Sequence, residues 1–264
     1  MFPVLFSIGP VTLHTYGLLI AIAIVVGILI TVYIGKSYGM NPQQVIDMGF
    51  IMILAGIIGS RIAYVLINFS YYTAHPLDIF KIWQGGLVFS GGLIAVILVI
   101  AWHVRRNRYS IWQIGDIWSP AAAIGQGIGR IGCFMAGCCY GKPTDVPWAI
   151  VFTDPRSIAN DWLNVPLHPT QIYSSISSFI IFIVLMILNT KKKFDGQVFL
   201  WFLILHSTGR LFVERYRGDD RGLVMNGWTT TQLLAILILM ASVITLIFLK
   251  SRYERQTNSS ESRE

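Results

Sequence analysis

Long apolar segments alternate with short polar ones along almost the whole chain. A helix needs roughly 20 mostly apolar residues to span a bilayer, and segments of about that length recur throughout the sequence. They cover residues 15–34, 46–69, 86–103, 111–136, 171–189, 197–215 and 228–249. The pattern therefore predicts an all-α polytopic membrane protein with about seven transmembrane helices.

The positive charges predict how these spans are oriented. Lys and Arg accumulate in cytoplasmic loops, and here they concentrate in alternate connections and at the C-terminal end, as in Arg105, Arg106, Arg108, Lys191, Lys192, Lys193, Lys250 and Arg252. We therefore expect the N-terminus outside and the C-terminus in the cytoplasm. The connection between the fourth and fifth spans, about residues 138–169, then forms a small external loop or head.

Composition supports the membrane assignment and predicts the domain organisation. The chain is 54% hydrophobic and 12% charged, with a mean hydropathy of +0.62, whereas soluble domains are about a quarter charged. Residues 1–255 are expected to form one transmembrane helical domain, followed by a polar tail over residues 256–264 that is expected to be disordered. In so apolar a chain, the net charge of +7 indicates basic cytoplasmic loops and not a surface for nucleic acid. Nucleic acid is therefore not expected as a partner.

The cysteines fall close together in the sequence. Cys133, Cys138 and Cys139 lie within seven positions, and their spacing does not resemble a zinc motif. We therefore expect neither a metal nor a cofactor. Two interpretations remain open: they are small apolar residues, or Cys133 and Cys138 form a disulfide near the outer face.

Apart from Asp47, Asp116 and Arg215, which lie near span ends, four charged side chains lie inside predicted spans: Arg61, Arg130, Arg210 and Glu214. Such a residue costs at least about 2.5–3.5 kcal/mol on insertion scales. Internal pairing that fixes helix packing is one explanation. However, one glutamate can neutralise only one arginine, and the surplus positive charge would suit an anion such as a lipid phosphate, which guanidinium groups bind bidentately.

Two further patterns accompany these charges. His206, Arg210 and Glu214 are spaced four residues apart, so they share one helix face; this face is either a structural hydrogen-bonded stripe or part of a site. Glycines follow Arg130 up to Gly141, and their backbone amides could surround an oxyanion. The glycine pair Gly91-Gly92 indicates either tight helix packing or a broken helix lining a polar cavity.

Several motifs in combination resemble the prolipoprotein diacylglyceryl transferase family. They occur in order along nearly the whole chain: Tyr16-Gly17, GSRIAY at 59–64, Gly85-Gly86 through Gly91-Gly92, QIGD at 113–116, GRIG at 129–132, HPTQIY at 168–173 and GRLFVERYR at 209–217. Each motif alone is short, but GRIG with a distant GRxxxERxR is specific.

The resemblance implies an enzyme of the bacterial plasma membrane whose active site opens toward the outer leaflet. It would move the diacylglyceryl group of phosphatidylglycerol to the lipobox cysteine thiol of preprolipoproteins, forming a thioether and releasing glycerol 1-phosphate. The implied catalytic residues are Arg130, Arg210, Glu214 and Tyr16. The implied substrate-binding residues are Arg61, Ser90, Gly91, Gly92, Cys133, Gly141, His168 and His206.

The chain departs from the family pattern at the residues that would supply a base. Ser90 stands where many members have histidine, Cys133 where many have asparagine, and Cys138 where an acid is common. Deprotonation of the thiol is then left to Glu214, to His206 or to water. Two alternatives stay open: a non-catalytic lipid-binding member of the family, which Ser90 and Cys133 make possible, and an anion transporter whose buried arginines bind the solute.

Overall fold

The computed structural model describes residues 2–8, 11–219, 223–225 and 228–261. Its helices are α1 (Thr15–Ser37), α2 (Pro42–Ile67), α3 (Phe69–Ala74), α4 (Phe89–Asn107), α5 (Ile111–Ala136), α6 (Thr170–Lys191), α7 (Gln197–Glu214) and α8 (Thr230–Glu261). Its strands are β1 (Val4–Ile8), β2 (Val11–His14), β3 (Ile150–Val151), β4 (Pro166–Leu167), β5 (Leu223–Met225) and β6 (Trp228–Thr229). Consecutive strands pair as three antiparallel hairpins.

The predicted helical membrane protein is confirmed. Within the described residues, five helices are long and apolar enough to cross a bilayer, namely α1, α2, α4, α6 and α8. Helices α5 and α7 coincide with the two other predicted spans, but they are not among these five. Both carry the charged residues discussed above, which lowers their mean hydropathy. The count of seven spans therefore stays a prediction.

The chain forms two compact units. The first unit contains residues Met1–Thr31 and Gly115–Glu264, and the second contains Val32–Ile114. The sequence predicts a single domain over residues 1–255 and does not indicate this division into two units. At the C-terminal end, α8 continues to Glu261, whereas the sequence predicts disorder from residue 256; residues 262–264 lie outside the described residues.

Helices α2 and α4 of the second unit pack through glycine. A Cβ atom added to Gly91 would lie 2.6 Å from the carbonyl oxygen of Gly59 and would collide with Ala63. One added to Gly92 would lie 2.8 Å from the carbonyl oxygen of Gly56 and would collide with Ser60. Of the two interpretations of the glycine pair, the structure supports tight packing.

Arg61 holds the segment between α3 and α4. Its Nε donates to the carbonyl oxygen of Ile79 at 2.8 Å, Nη1 donates to Gly85 at 2.8 Å and Nη2 donates to Asp78 at 2.6 Å. Two tyrosine rings lie 5.5 and 5.7 Å from the guanidinium carbon. Backbone carbonyls thus compensate this buried charge. For Arg61, the structure supports the interpretation that a buried arginine is paired internally and fixes helix packing.

Asp116 fixes the start of α7 in the first unit. Its carboxylate is fully buried and accepts hydrogen bonds from the backbone amides of Gly196 and Phe199, each at 2.8 Å. Lys192 lies 3.3 Å away. Because a helix leaves its first amides without intrahelical partners, a carboxylate supplied by α5 caps α7 and ties the two helices together.

The predicted head between α5 and α6 has a small core of its own. Phe152, Ala159 and Leu167 are buried together, and β3 pairs with β4 across this segment. Gln171, at the start of α6, is buried and donates to the carbonyl oxygen of Cys138 at 2.8 Å. The head is therefore anchored to the helix that follows it.

Candidate active site

A polar cavity lies between α5, α6 and α7 of the first unit. Its volume is about 20 Å³, and its polar lining comprises Gln126, Arg130, Ser174, Ser177, Ser178, His206 and Arg210. Each of the three helices contributes polar side chains to it. The cavity brings together two of the three in-span arginines, and it offers hydroxyl and amide groups beside them.

Helical spacing places the charged groups on this cavity. Gln126 and Arg130 lie one turn apart on α5, and His206 and Arg210 lie one turn apart on α7. Helices α6 and α7 pack closely beside the cavity, since a Cβ added to Gly209 would lie 2.7 Å from Ser177 Oγ. The shared face predicted for His206 and Arg210 is confirmed.

Glu214 completes the charged row on α7. Its Oε2 lies 2.8 Å from Nη2 of Arg210, and their side chains are 3% and 11% exposed. Thr229 Oγ1 donates to Oε1 of the same carboxylate at 3.0 Å. The carboxylate is thus held from both sides, so it can orient Arg210 and remain a proton acceptor in a site nearly closed to water.

Tyr16 lies at the first turn of α1 and packs on α5. A Cβ added to Gly132 would lie 3.1 Å from Cδ2 of Tyr16, and Gly132 is two residues from Arg130. The tyrosine is 43% exposed. All four residues that the resemblance implies to be catalytic therefore lie in the first unit.

The backbone amides predicted to surround an anion are already used. The Gly141 amide donates to the carbonyl oxygen of His168 at 3.1 Å, and the Gly137 amide donates to Phe134 at 3.3 Å. The prediction of available amides is wrong at both positions. Instead Gly141 permits a close approach, since an added Cβ would lie 2.5 Å from the His168 carbonyl oxygen.

His168 belongs to an aromatic cluster at the C-terminal end of the head. Its Nδ1 lies 3.3 Å from the hydroxyl oxygen of Tyr173, and its ring centre lies 5.0 Å from that of Tyr216. Trp148 Nε1 donates to the same Tyr173 hydroxyl at 2.7 Å. These contacts connect the head to the ends of α6 and α7.

Comparison with known proteins shows the family of this chain. The family model described as prolipoprotein diacylglyceryl transferase matches residues 3–248. The chain belongs to the prolipoprotein diacylglyceryl transferase family. This confirms the resemblance drawn from the motifs, and with it the transferase class.

Relatives from distant bacteria match over nearly their whole length, and each is named phosphatidylglycerol–prolipoprotein diacylglyceryl transferase. One from Clostridium tetani (strain Massachusetts / E88) is 32% identical over 97% of this chain and 100% of that protein. One from Bordetella avium (strain 197N) is 33% identical over 96% of this chain and 97% of that protein. One from Yersinia pestis (strain Pestoides F) is 34% identical over 97% and 94%.

The residues implied by the transferase family divide between the two units. The second unit contains Arg61, Ser90, Gly91 and Gly92, where Ser90 is exposed in the first turn of α4. The first unit contains Tyr16, Arg130, Cys133, Gly141, His168, His206, Arg210 and Glu214. The substrate-binding roles stay predictions, and for Arg61 the carbonyl contacts favour a positioning role.

Sequence reasoning missed Arg217, which is buried although it follows the last helical turn of α7. Its Nη2 lies 2.7 Å from Oδ2 of Asp219, and it pairs with Gly141 through a β-bridge. Burial acts to lower the pKa of Arg217, but hydrogen bonds to Asp219 and the nearby Cys139 raise it above its ordinary value. The available signal was its place in GRxxxERxR.

The three cysteines lie together beside this arginine. Their Sγ atoms lie within 4.8 Å of one another, and none of the three, all of them described, forms a disulfide. Thr170 Oγ1 donates to the carbonyl oxygen of Cys139 at 2.7 Å. Sequence spacing gave no indication of this cluster, because it depends on the fold of the chain after α5.

Proposed function

We propose that this chain transfers the diacylglyceryl group of phosphatidylglycerol to the cysteine thiol of a lipobox in preprolipoproteins, an early step of bacterial lipoprotein maturation. The observation that carries the proposal is the convergence of Arg130 and Arg210 on one polar cavity, with Glu214 paired to Arg210. The two guanidinium groups can bind the anionic headgroup, and the carboxylate can accept the proton that the thiol must lose.

The reaction would proceed by attack of sulfur on carbon. The thiol gives up its proton, and its sulfur attacks the glyceryl carbon that carries the phosphate. A carbon–sulfur bond forms, the carbon–oxygen bond breaks, and its electron pair stays on the phosphate oxygen, which leaves as glycerol 1-phosphate. Negative charge develops on that leaving group, so two guanidinium groups stabilise the transition state more than the ground state.

The other groups of the site support this chemistry. Glu214, fixed by Arg210 and Thr229, orients one guanidinium and accepts the proton of the thiol. Tyr16 is half-exposed and packs on Gly132, two residues after Arg130. The serines of α6 offer hydroxyl groups to the headgroup. A transporter would not need such a fixed carboxylate–guanidinium pair, and a lipid-binding member would not turn over.

The experiment that tests this function uses the full-length protein purified in detergent. Incubation with phosphatidylglycerol and a lipobox peptide should increase the peptide mass by one diacylglyceryl group and release glycerol 1-phosphate. A peptide with serine in place of the lipobox cysteine should not react, because no thioether can form. If the protein retains phosphatidylglycerol but never modifies the cysteine peptide, the non-catalytic alternative is correct.

The orientation of the chain belongs to the same proposal. We propose seven spans in the bacterial plasma membrane, with the N-terminus and head outside. The site would then lie toward the outer leaflet, because Arg130, Arg210 and Glu214 lie near those ends of α5 and α7 that adjoin the head.

Reporter fusions after Arg108 and Lys193 should read cytoplasmic, and a fusion near Lys142 should read external. A cytoplasmic signal at Lys142 would invert this topology.

A further inference from the structure

The cysteine cluster has the geometry of a metal site. Zinc binds thiolate sulfur at about 2.3 Å, so three thiolates of a tetrahedral site lie about 3.8 Å apart. The three Sγ atoms here lie within 4.8 Å of one another, and a closing movement of about 1 Å brings them to that separation.

The backbone is shaped to produce this arrangement. Cys139 has a φ angle of 61°, a left-handed conformation that is uncommon for a residue with a side chain. Adjacent residues normally direct their side chains apart, yet here the thiols of Cys138 and Cys139 both approach Cys133. The side chains of Thr170 and Gln171 hold the Cys139 and Cys138 carbonyls at 2.7 and 2.8 Å.

A disulfide explains this cluster less well than a metal. A disulfide between Cys133 and Cys138 would leave the third thiol without a purpose, although the unusual backbone of Cys139 brings it to the same point. A bridge between the vicinal pair would be strained. Three convergent, half-buried sulfurs are the donor set that zinc and other thiophilic ions prefer.

We propose that Cys133, Cys138 and Cys139 bind one zinc ion as three thiolates, leaving a fourth position that takes the thiol of the substrate. The second part rests on the proposed function. Cys133 lies three residues after Arg130 on α5, so the two side chains share a helix face, and Arg130 lines the cavity where the phosphate would bind. Arg217 lies beside Cys139 and places positive charge next to the thiolates, while it also pairs with Asp219.

The step balances without an oxidant or reductant. The substrate thiol would replace water on zinc and give its proton to Glu214. The bound sulfur attacks the glyceryl carbon, and the carbon–oxygen bond breaks toward the phosphate, which takes up a proton. The product is a thioether, a weak ligand that dissociates and returns the open position. Zinc would thus activate the thiol in a chain that has Ser90 where many relatives have histidine.

Metal binding is tested on the reduced full-length protein without substrate. After incubation with zinc and removal of the excess, we expect one zinc per chain by elemental mass spectrometry. Cobalt in place of zinc should give thiolate-to-metal charge-transfer bands and the visible bands of a tetrahedral site. Loss of a residue that only hydrogen-bonds to a metal ligand already weakens metal binding about 10–100-fold. Cys133→Ala removes a ligand itself, so it should weaken zinc binding by about 100-fold or more.

The conservative variant separates a ligand from a packing residue. Cys133→His should keep the metal but shift the cobalt spectrum, since imidazole replaces one thiolate, and its thermal unfolding midpoint is measured beside that of Cys133→Ala. Absence of zinc and of cobalt–thiolate bands in the reduced, folded wild type would overturn the proposal, as would a Cys133→His spectrum identical to that of the wild type.

Transfer is then measured after treatment with a chelator. We expect a loss of about tenfold or more that zinc restores. Undiminished transfer by zinc-free protein would refute the role of zinc in thiol activation and leave the proposed function intact. Bound zinc in a protein that never modifies the lipobox peptide would refute the proposed function and leave the metal site intact.

Discussion

Arg130→Ala and Arg210→Ala should each lower transfer by about 1000-fold or more, while the protein still inserts at normal abundance. Removing a single preorganised donor from a developing oxyanion costs about 10²–10³ in rate, and here each substitution removes a full charge from the cavity. Lysine should restore only part of the activity, because an ammonium group lacks the bidentate fork of guanidinium. Initial rates of peptide modification by purified variants measure the effect.

Two controls make this prediction specific. Arg156 is exposed in the head and paired with Asp154 at 2.7 Å, so Arg156→Ala should transfer at the wild-type rate. Arg210→Ala also leaves Glu214 buried without its cation, which destabilises a protein by about 3–5 kcal/mol. The double variant Arg210→Ala/Glu214→Gln removes that cost. We expect the double variant to stay inactive, because it lacks both the cation and the proton acceptor. Recovery of activity would mean that Arg210 serves only to neutralise Glu214 and that Glu214 is not the proton acceptor.

The helices could be predicted closely because the bilayer sets a local length requirement. The predicted segment 111–136 coincides with α5, and 171–189 differs from α6 by one or two residues at either end. The C-terminal end was harder to predict, since a polar composition does not prevent a helix from continuing. The pair Lys250 and Glu254, one turn apart at 3.9 Å, lies where α8 leaves its apolar part.

The site could be predicted only where helical periodicity determines it. Periodicity placed His206 and Arg210 on one face, and the cost of a buried charge singled out all three in-span arginines. Neither argument could distinguish Arg61 from the two arginines of the cavity. The partners of Arg61 are backbone carbonyl groups of Asp78 and Ile79, in the segment that precedes α4. Nor could either argument reveal the cysteine cluster, which depends on one left-handed residue, Cys139, in an irregular segment.

Glu214→Gln should lower transfer by far more than Ser90→Ala, whose loss should stay below about tenfold, or roughly 1.4 kcal/mol of barrier. Glutamine keeps the shape of the carboxylate and can still accept the hydrogen bond from Thr229, but it neither pairs ionically with Arg210 nor takes a proton. Ser90 is exposed in the first turn of α4, and an unassisted serine is a poor base. Parallel rate measurements on both variants give the comparison.

Two further variants decide which group supplies the chemistry. Thr229→Val removes the hydrogen bond to Oε1 of Glu214 and the one that Thr229 Oγ1 accepts from the Gln232 amide at 3.2 Å. Its thermal unfolding midpoint is therefore measured too, and its loss of transfer should fall between those of Ser90→Ala and Glu214→Gln. If histidine at position 90 were the base that this chain lacks, Ser90→His would create activity in an inactive protein, whereas an arginine–carboxylate mechanism predicts activity without it. A loss in Ser90→Ala as large as that in Arg130→Ala would show that the hydroxyl group is essential, and the assignment of the proton acceptor to Glu214 would then be wrong.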